Sequence, residues 1–207
     1  MNIDYIVNTF KDRKGKPMGI KQSYSVLLPL VLVDDEWHIL FEVRANTLDT
    51  QPGEISFPGG AVEQQEYPRD AAIRETYEEL NVEIDNISII GELDYLSSPY
   101  NMMIYGYVGM LENIDLKNIN FNKQEVAHIF TVPVKFFVNN EPLLYHVSLE
   151  VSEDDKFPYH LIPNGKDYKW RSAKNPVFFY LYNDHIIWGL TARFVKNFVD
   201  ILKNNVK

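Results

Sequence analysis

The chain reads as one α/β domain, a mixed sheet flanked by helices. Three observations predict this. Two apolar runs, residues 23–33 and 37–44, are separated by a short acidic turn and have strand composition. The apolar stretch ending at Phe57 runs through Pro58-Gly59-Gly60 and a loop into a helical segment, giving the order strand, glycine turn, loop, helix. A final stretch, 190–204, repeats apolar residues at helical spacing.

In chain order, Ile3, Ile6, Val7 and Phe10 recur with helical period and predict a helix within residues 3–12. Residues 1–22 are expected to form a helical extension and residues 23–207 a single globular domain. SYSVLLPLVLV at 23–33 is apolar throughout, as a largely buried strand should be. Asp34-Asp35-Glu36 is the turn, and Trp37 to Arg44 is the returning strand. Pro68 suits the first turn of a helix, where its missing N–H costs nothing. Asn81 suits the left-handed position just past the end of that helix. On a helical wheel Ile73, Thr76, Tyr77 and Leu80 share one face, expected to pack inward, and Glu75, Glu78 and Glu79 share the other. Residues 84–96 and 102–112 read as a strand pair with a turn at 97–101. Residues 133–139 read as a short helix, 142–151 and 176–182 as strands, and 152–175 as a long polar loop. In the last helix Leu190, Phe194, Phe198 and Ile201 or Leu202 are expected to face inward.

Composition excludes several functions. The net charge of −9 argues against non-specific nucleic-acid binding, which needs basic surface. The absence of cysteine excludes disulfides, zinc–thiolate sites and thiol catalysis. No apolar run approaches the ~18 residues of a membrane span, and the first residues lack an apolar signal core. The expectation is a cytoplasmic enzyme of a small molecule, with neither nucleic acid nor membrane as partner and with a homodimer left open. The one basic patch, Lys11 to Lys16, reads as a solvated turn or a phosphate contact.

The sharpest chemical signal is the acidic helix. Glu75, Glu78 and Glu79 sit at i, i+3 and i+4, where like charges repel and weaken a bare helix. A divalent cation reverses that sign. Mg²⁺ or Mn²⁺ takes oxygen ligands, so the three carboxylates and the Gly59 carbonyl form a candidate metal set. A carboxylate not fully occupied by the metal, Glu78 or Glu79, is the candidate general base.

Gly60, Glu66, Arg74-Glu75-Thr76, Glu78-Glu79 and Asn81-Val82 stand at spacings that resemble the box of the Nudix hydrolases, G-x5-E-x7-R-E-U-x-E-E-x-G-U, where U is bulky and apolar. Thr76 replaces an aliphatic residue and Asn81 a glycine. The resemblance implies a Nudix-type α/β/α sandwich with a mixed β-sheet, and metal-dependent hydrolysis of a nucleoside diphosphate conjugate. Glu66 with Arg74 would brace the loop against the helix within the catalytic box. The segment before the box is similar to the extra motif of coenzyme A pyrophosphatases at Arg44, Ala45, Leu48, Gly53 and Phe57 to Gly60. Asp49, Gln51 and Glu54 depart from it, which keeps ADP-ribose, a dinucleotide or a nucleoside triphosphate open as substrate. A catalytically silent nucleotide-binding module is the remaining alternative.

Arg44 is a candidate phosphate contact or a surface salt-bridge residue. Gly60 lets backbone approach a ligand, and Phe57, Tyr95 or Tyr100 could stack on an adenine or serve the core. Glu125 is either an additional ligand or base, or a solvated strand-edge residue. Ile187 to Ala192 resembles the W-G-x-T-A signature that opens the last helix of the family.

Overall fold

The apolar run at 23–33 becomes β1 (Gln22–Val33), the strand around which the main sheet is organised. The computed structural model describes residues 2–154 and 156–205. β1 forms a hairpin with β2 (Glu36–Arg44), pairs antiparallel with β4 (Gly59–Ala61), and runs parallel beside β7 (Met102–Leu111). β3 (Ile55–Ser56) and β8 (Val126–Pro133) pair with β2. β5 (Ile87–Glu92) and β6 (Leu96–Ser98) pair with β7. The parallel pair at the centre makes the sheet mixed.

Pro29 in the middle of β1 would ordinarily argue against an interior strand. Its position answers the objection. Leu27 donates its N–H to the Pro58 carbonyl on the β4 side, so residue 29, two further on, has its nitrogen on that same edge. There the β4 pairing has ended at Val26 and the β2 pairing begins only at Leu30. The missing donor therefore costs no ladder bond.

Alternation along the strands builds two cores. Leu27, Val31 and Leu40 point to one side and meet Ala72 and Leu80 of α2 (Pro68–Leu80). Leu28, Leu30, Ile39 and Phe41 point to the other. They meet Phe137 of α3 (Val134–Asn139) and Phe194, Val195, Phe198 and Val199 of α4 (Gly189–Asn205). The result is the expected α/β/α sandwich. A second, antiparallel sheet joins β9 (Leu143–Leu149), β10 (Ala173–Tyr182) and β11 (His185–Trp188) in the order β9-β10-β11. Its Tyr180 and Ile187 are buried and belong to the α4-side core.

Some expectations need correction. Of the expected helical extension α1 (Ile3–Phe10) is the helical part, and it buries none of its residues, so its apolar stripe is largely exposed. Tyr77 is exposed, because α2 is rotated so that Ala72, Thr76, Glu79 and Leu80 face inward. Leu190 and Leu202 are exposed as well; Ala192, Val195 and Val199 join Phe194 and Phe198 in the buried stripe of α4, with Ile201 partly buried beside them. The polar loop contains two short 3₁₀ turns and gives way to β10 at Ala173, and β11 is an extra strand.

Phe137 is fully buried, tilted against Phe41 and edge-on to Tyr180, with ring centroids 5.9 and 5.0 Å apart. It ties the main sheet to the second sheet. Phe137→Ala leaves a cavity at that junction and is expected to lower unfolding stability by about 3–5 kcal/mol, measured by urea denaturation.

Candidate active site

The site is built where α2 meets the end of β4. Pro68 occupies the first helical turn and Asn81, at φ 50°, closes the helix in the left-handed region, as the sequence predicts. The carboxylate face does not point to solvent as the helical wheel suggested. Glu79 is only 3% exposed and lies in the middle of the inward face. Its Oε2 accepts the Gly59 N–H at 2.8 Å, a bond between helix and sheet. Glu75 is largely covered, and Glu78 alone of the three is well exposed.

Arg74 organises the surface around them. Its Nε and one terminal nitrogen donate to both oxygens of Glu66, at 2.9 and 3.1 Å. That terminal nitrogen also donates to the Ala61 carbonyl at 3.0 Å. The other terminal nitrogen donates to Glu75 at 2.8 Å and to Glu78 at 3.1 Å. Glu66 also accepts the Glu63 N–H, so the loop between β4 and α2 is fixed at both ends. The hydrogen bonds from Arg74 hold the Glu66 carboxyl below the usual range. The bracing expected of this pair is what the geometry provides.

Glycine is required at Gly59, where a Cβ would lie 2.3 Å from the Ser25 carbonyl. At Gly60 a Cβ would lie 2.3 Å from the Glu75 carboxylate, so a side chain there would push Glu75 out of its place.

One important residue escaped sequence reasoning. Glu42 of β2 is 1% exposed on the α2 side of the sheet. Its Oε1 accepts the Ser56 hydroxyl at 2.9 Å, and its Oε2 has no partner. Burial pushes the Glu42 carboxyl up. Burial, then the charge of Glu42, pushes Glu79 up, against the pull of the Gly59 N–H. Burial also raises Glu75, against the pull of Arg74. The signal was a lone acid in the apolar strand WHILFEV, on the same parity as Leu40.

Glu75 and Glu79 open onto a cleft of about 710 Å³, with Glu42 buried behind it. Its acidic side carries Glu75, Glu79 and Glu125 beside Gly59 and Gly60. A second wall comes from Arg44, Thr50, Gln51 and Glu54, the stretch before the box. The third is apolar, with Met102, Ile104, Trp188, Leu190 and Phe194. Glu78 is not part of the lining. Glu125 is brought in because the Asn122 N–H donates to the Glu79 carbonyl at the end of α2, while the Ala45 N–H donates to the Glu125 carbonyl. It is therefore a cleft residue rather than a solvated strand edge.

Arg44 follows a register shift between β2 and β8, an irregularity that re-aims a side chain. Its Nε is buried without a partner and one terminal nitrogen reaches the Thr50 carbonyl at 3.4 Å. Among the described residues it forms no ion pair, which removes the salt-bridge reading. Phe57 lines the cleft, largely buried and stacked on Phe41 at 5.2 Å, and supports its floor. Tyr95 and Tyr100 are exposed away from the cleft; the aromatics that line it are Tyr24, Phe57, Phe194 and Trp188, the last stacked on Phe179.

Among the described residues, no three His, Cys, Asp or Glu side chains gather tightly enough to hold an ion as they stand. Arg74 holds one oxygen each of Glu75 and Glu78. The chemistry of the donors nevertheless fits a hard divalent cation. They are all oxygens, Glu42 retains one with no partner among the described residues, and burial raises the proton affinity of Glu75 and Glu79, a cost that a cation would offset.

The NUDIX domain family model matches residues 25–147. Nudix hydrolase 3 of Caenorhabditis elegans is 28% identical over 188 residues, covering 89% of this chain and 75% of its own. The peroxisomal coenzyme A diphosphatase NUDT7 of Mus musculus is 29% identical over 129 residues, covering 60% of this chain and 51% of its own. A crystal structure of a MutT/nudix family protein from Enterococcus faecalis shares the fold, with a TM-score of 0.51 at 14% identity, over 98% of this chain and 70% of that one.

The buried acids make a pH prediction. Glu42 and Glu79 titrate above their unfolded value, so their contribution to stability is complete below the ordinary glutamate range, roughly 4.3, and is lost as pH rises through the folded values. The melting temperature of metal-free protein should fall from mildly acidic to neutral and alkaline pH. Glu42→Gln should flatten that fall, measured by thermal scans across pH.

Proposed function

The chain belongs to the Nudix family, and we propose that this Nudix hydrolase cleaves the diphosphate of coenzyme A or an acyl-CoA. The products are 4′-phosphopantetheine, or its acyl form, and adenosine 3′,5′-bisphosphate. The observation that carries the reading is the convergence of Glu75, Glu79, Glu125 and Arg44 on one cleft beside the Gly59–Gly60 turn. The likeness to NUDT7 and the matched positions from Arg44 to Gly60 support the choice of coenzyme A.

Glu75, the Gly59 carbonyl and, where Arg74 releases it, Glu78 would hold Mg²⁺ or Mn²⁺; Glu79 would be a further ligand only where its one free oxygen is not the proton acceptor. Such an ion supplies charge neutralisation of the diphosphate and acidifies an attacking water. Arg44 binds a phosphate, since a guanidinium matches phosphate oxygens with paired hydrogen bonds. One of its terminal nitrogens makes a long 3.4 Å bond to the Thr50 carbonyl, which a phosphate oxygen could replace. Gly60 allows the phosphates to come close to backbone. Arg74 and Glu66 keep the loop and helix in register.

Of the two box residues considered for the proton acceptor, Glu79 lines the cleft and has one oxygen not committed to Gly59. We assign the proton to that oxygen. A second reading places it on Glu125, which faces the same cleft and accepts only a 3.3 Å bond from Asn122.

Two variants separate these assignments. Glu79→Gln should lower kcat by on the order of 10²–10⁴-fold with the fold intact. Glu125→Gln should then change kcat far less and keep the acid limb of the pH profile; loss of that limb would move the base to Glu125. Arg44→Ala should lower kcat/KM by about 10–100-fold, with much of the change in KM. The substrate is tested by mass spectrometry of products with Mg²⁺ or Mn²⁺ and a panel of coenzyme A, acetyl-CoA, ADP-ribose, a diadenosine polyphosphate and a nucleoside triphosphate. Release of adenosine 3′,5′-bisphosphate from coenzyme A supports the reading. Turnover of ADP-ribose alone rejects the substrate and keeps the chemistry.

A further inference from the structure

The second sheet has one face packed inward through Tyr180 and Ile187 and one face left bare. Cross-strand register defines the bare face. Leu143 stands opposite Phe179, which stands opposite Trp188; Tyr145 is opposite Val177, and Leu181 is opposite Ile186. No outward position on these three strands carries a charge. Tyr145 is 61% exposed, Leu181 55% and Ile186 56%, and Leu143, Val147 and Trp188 are exposed beside them. The rings of Tyr145, Phe179 and Trp188 form a continuous row, at centroid spacings of 5.8 and 5.9 Å.

Soluble monomers rarely leave an apolar patch of this extent on a regular sheet face. We propose that this face seats a second copy of the chain, the two three-stranded sheets stacked about a twofold axis. Six apolar side chains of the face are 42–61% exposed, a patch on the scale of the ~800 Å² per partner that a stable interface buries. An uncharged sheet face is its own complement in a twofold pairing, since apolar rows meet apolar rows. The net charge of −9 makes close approach of two copies unfavourable elsewhere, and an uncharged seat is where that repulsion is least. Trp188 belongs both to this face and to the catalytic cleft, so the partner lies along one rim of the cleft.

The test is sedimentation velocity of the full chain at micromolar concentration. The expected species has twice the 24.2 kDa chain mass, and it should tighten as salt rises, because salt screens the like net charges while the seat itself is apolar. Leu181→Lys and, separately, Ile186→Lys should raise the dissociation constant by on the order of 10–100-fold, with an unchanged circular dichroism spectrum. Ile90→Lys, an exposed apolar residue on the other sheet, should leave the dimer intact. A monomeric wild-type chain overturns the proposal, as does a dimer that both folded variants retain or that loosens with salt. Flotation of a monomeric wild-type chain with anionic vesicles would assign the face to lipid and overturn it equally.

Discussion

A carboxylate buried between a helix and a sheet is the constraint on which the site depends. Glu79 sits on the inward face of α2 and accepts the Gly59 N–H at the start of β4. That bond sets the height of the helix above the sheet, and with it the separation of Glu75 from Gly60. Its buried neighbours on the helix, apolar Ala72 and Leu80 and Thr76 with its hydroxyl bonded to the Ala72 carbonyl, supply the packing that holds an unfavourable charge in place. The arrangement has a cost in isolation, and Glu42 increases it. In the proposed function a bound cation would offset that cost.

Around that centre the chain brings together parts distant in sequence. The stretch after β2 supplies Arg44, α2 supplies two carboxylates, the segment before β8 supplies Glu125, and the β11–α4 junction supplies Trp188 and Leu190. Backbone hydrogen bonds do the positioning: the Arg44 N–H to the Glu54 carbonyl, the Ala45 N–H to that of Glu125, and the Asn122 N–H to that of Glu79. The Thr191 hydroxyl bonds the Ile55 carbonyl at 3.0 Å and joins the apolar wall to the wall before the box.

The fold was legible wherever local pattern and global packing agree. β1, β2, the Pro68 start and Asn81 stop of α2, and the short α3 follow from period and cap chemistry, which act within a few residues. The inward rotation of α2 was not legible. Residue type places Glu79 outside and Tyr77 inside, and only the tertiary bond to Gly59 reverses that order. The outward turn of Leu190 has the same origin, since the α4 stripe is set by where the helix meets the sheet. Of the site, the spacing of Gly60, Glu66, Arg74, Glu75, Glu78 and Glu79 was readable because it is local. Glu42 and Trp188 were not, because each reaches the cleft through strand pairing. The backbone of Gly59 and Gly60 was anticipated, but the reason differs: the Gly59 position is demanded by the close backbone of Ser25 and Val26 in β1.

The central parallel pair has a consequence for biogenesis. β1 is made early, yet its parallel neighbour starts at Met102, paired with Gln22. During synthesis the most apolar strand of the protein waits with one edge bare until β7 emerges. Distant pairing of this kind slows folding and leaves nascent strands open to association. The ribosome-bound chain is therefore most dependent on chaperones in the interval before Leu111 has left the exit tunnel, and truncations ending in that interval are the ones to accumulate as aggregates.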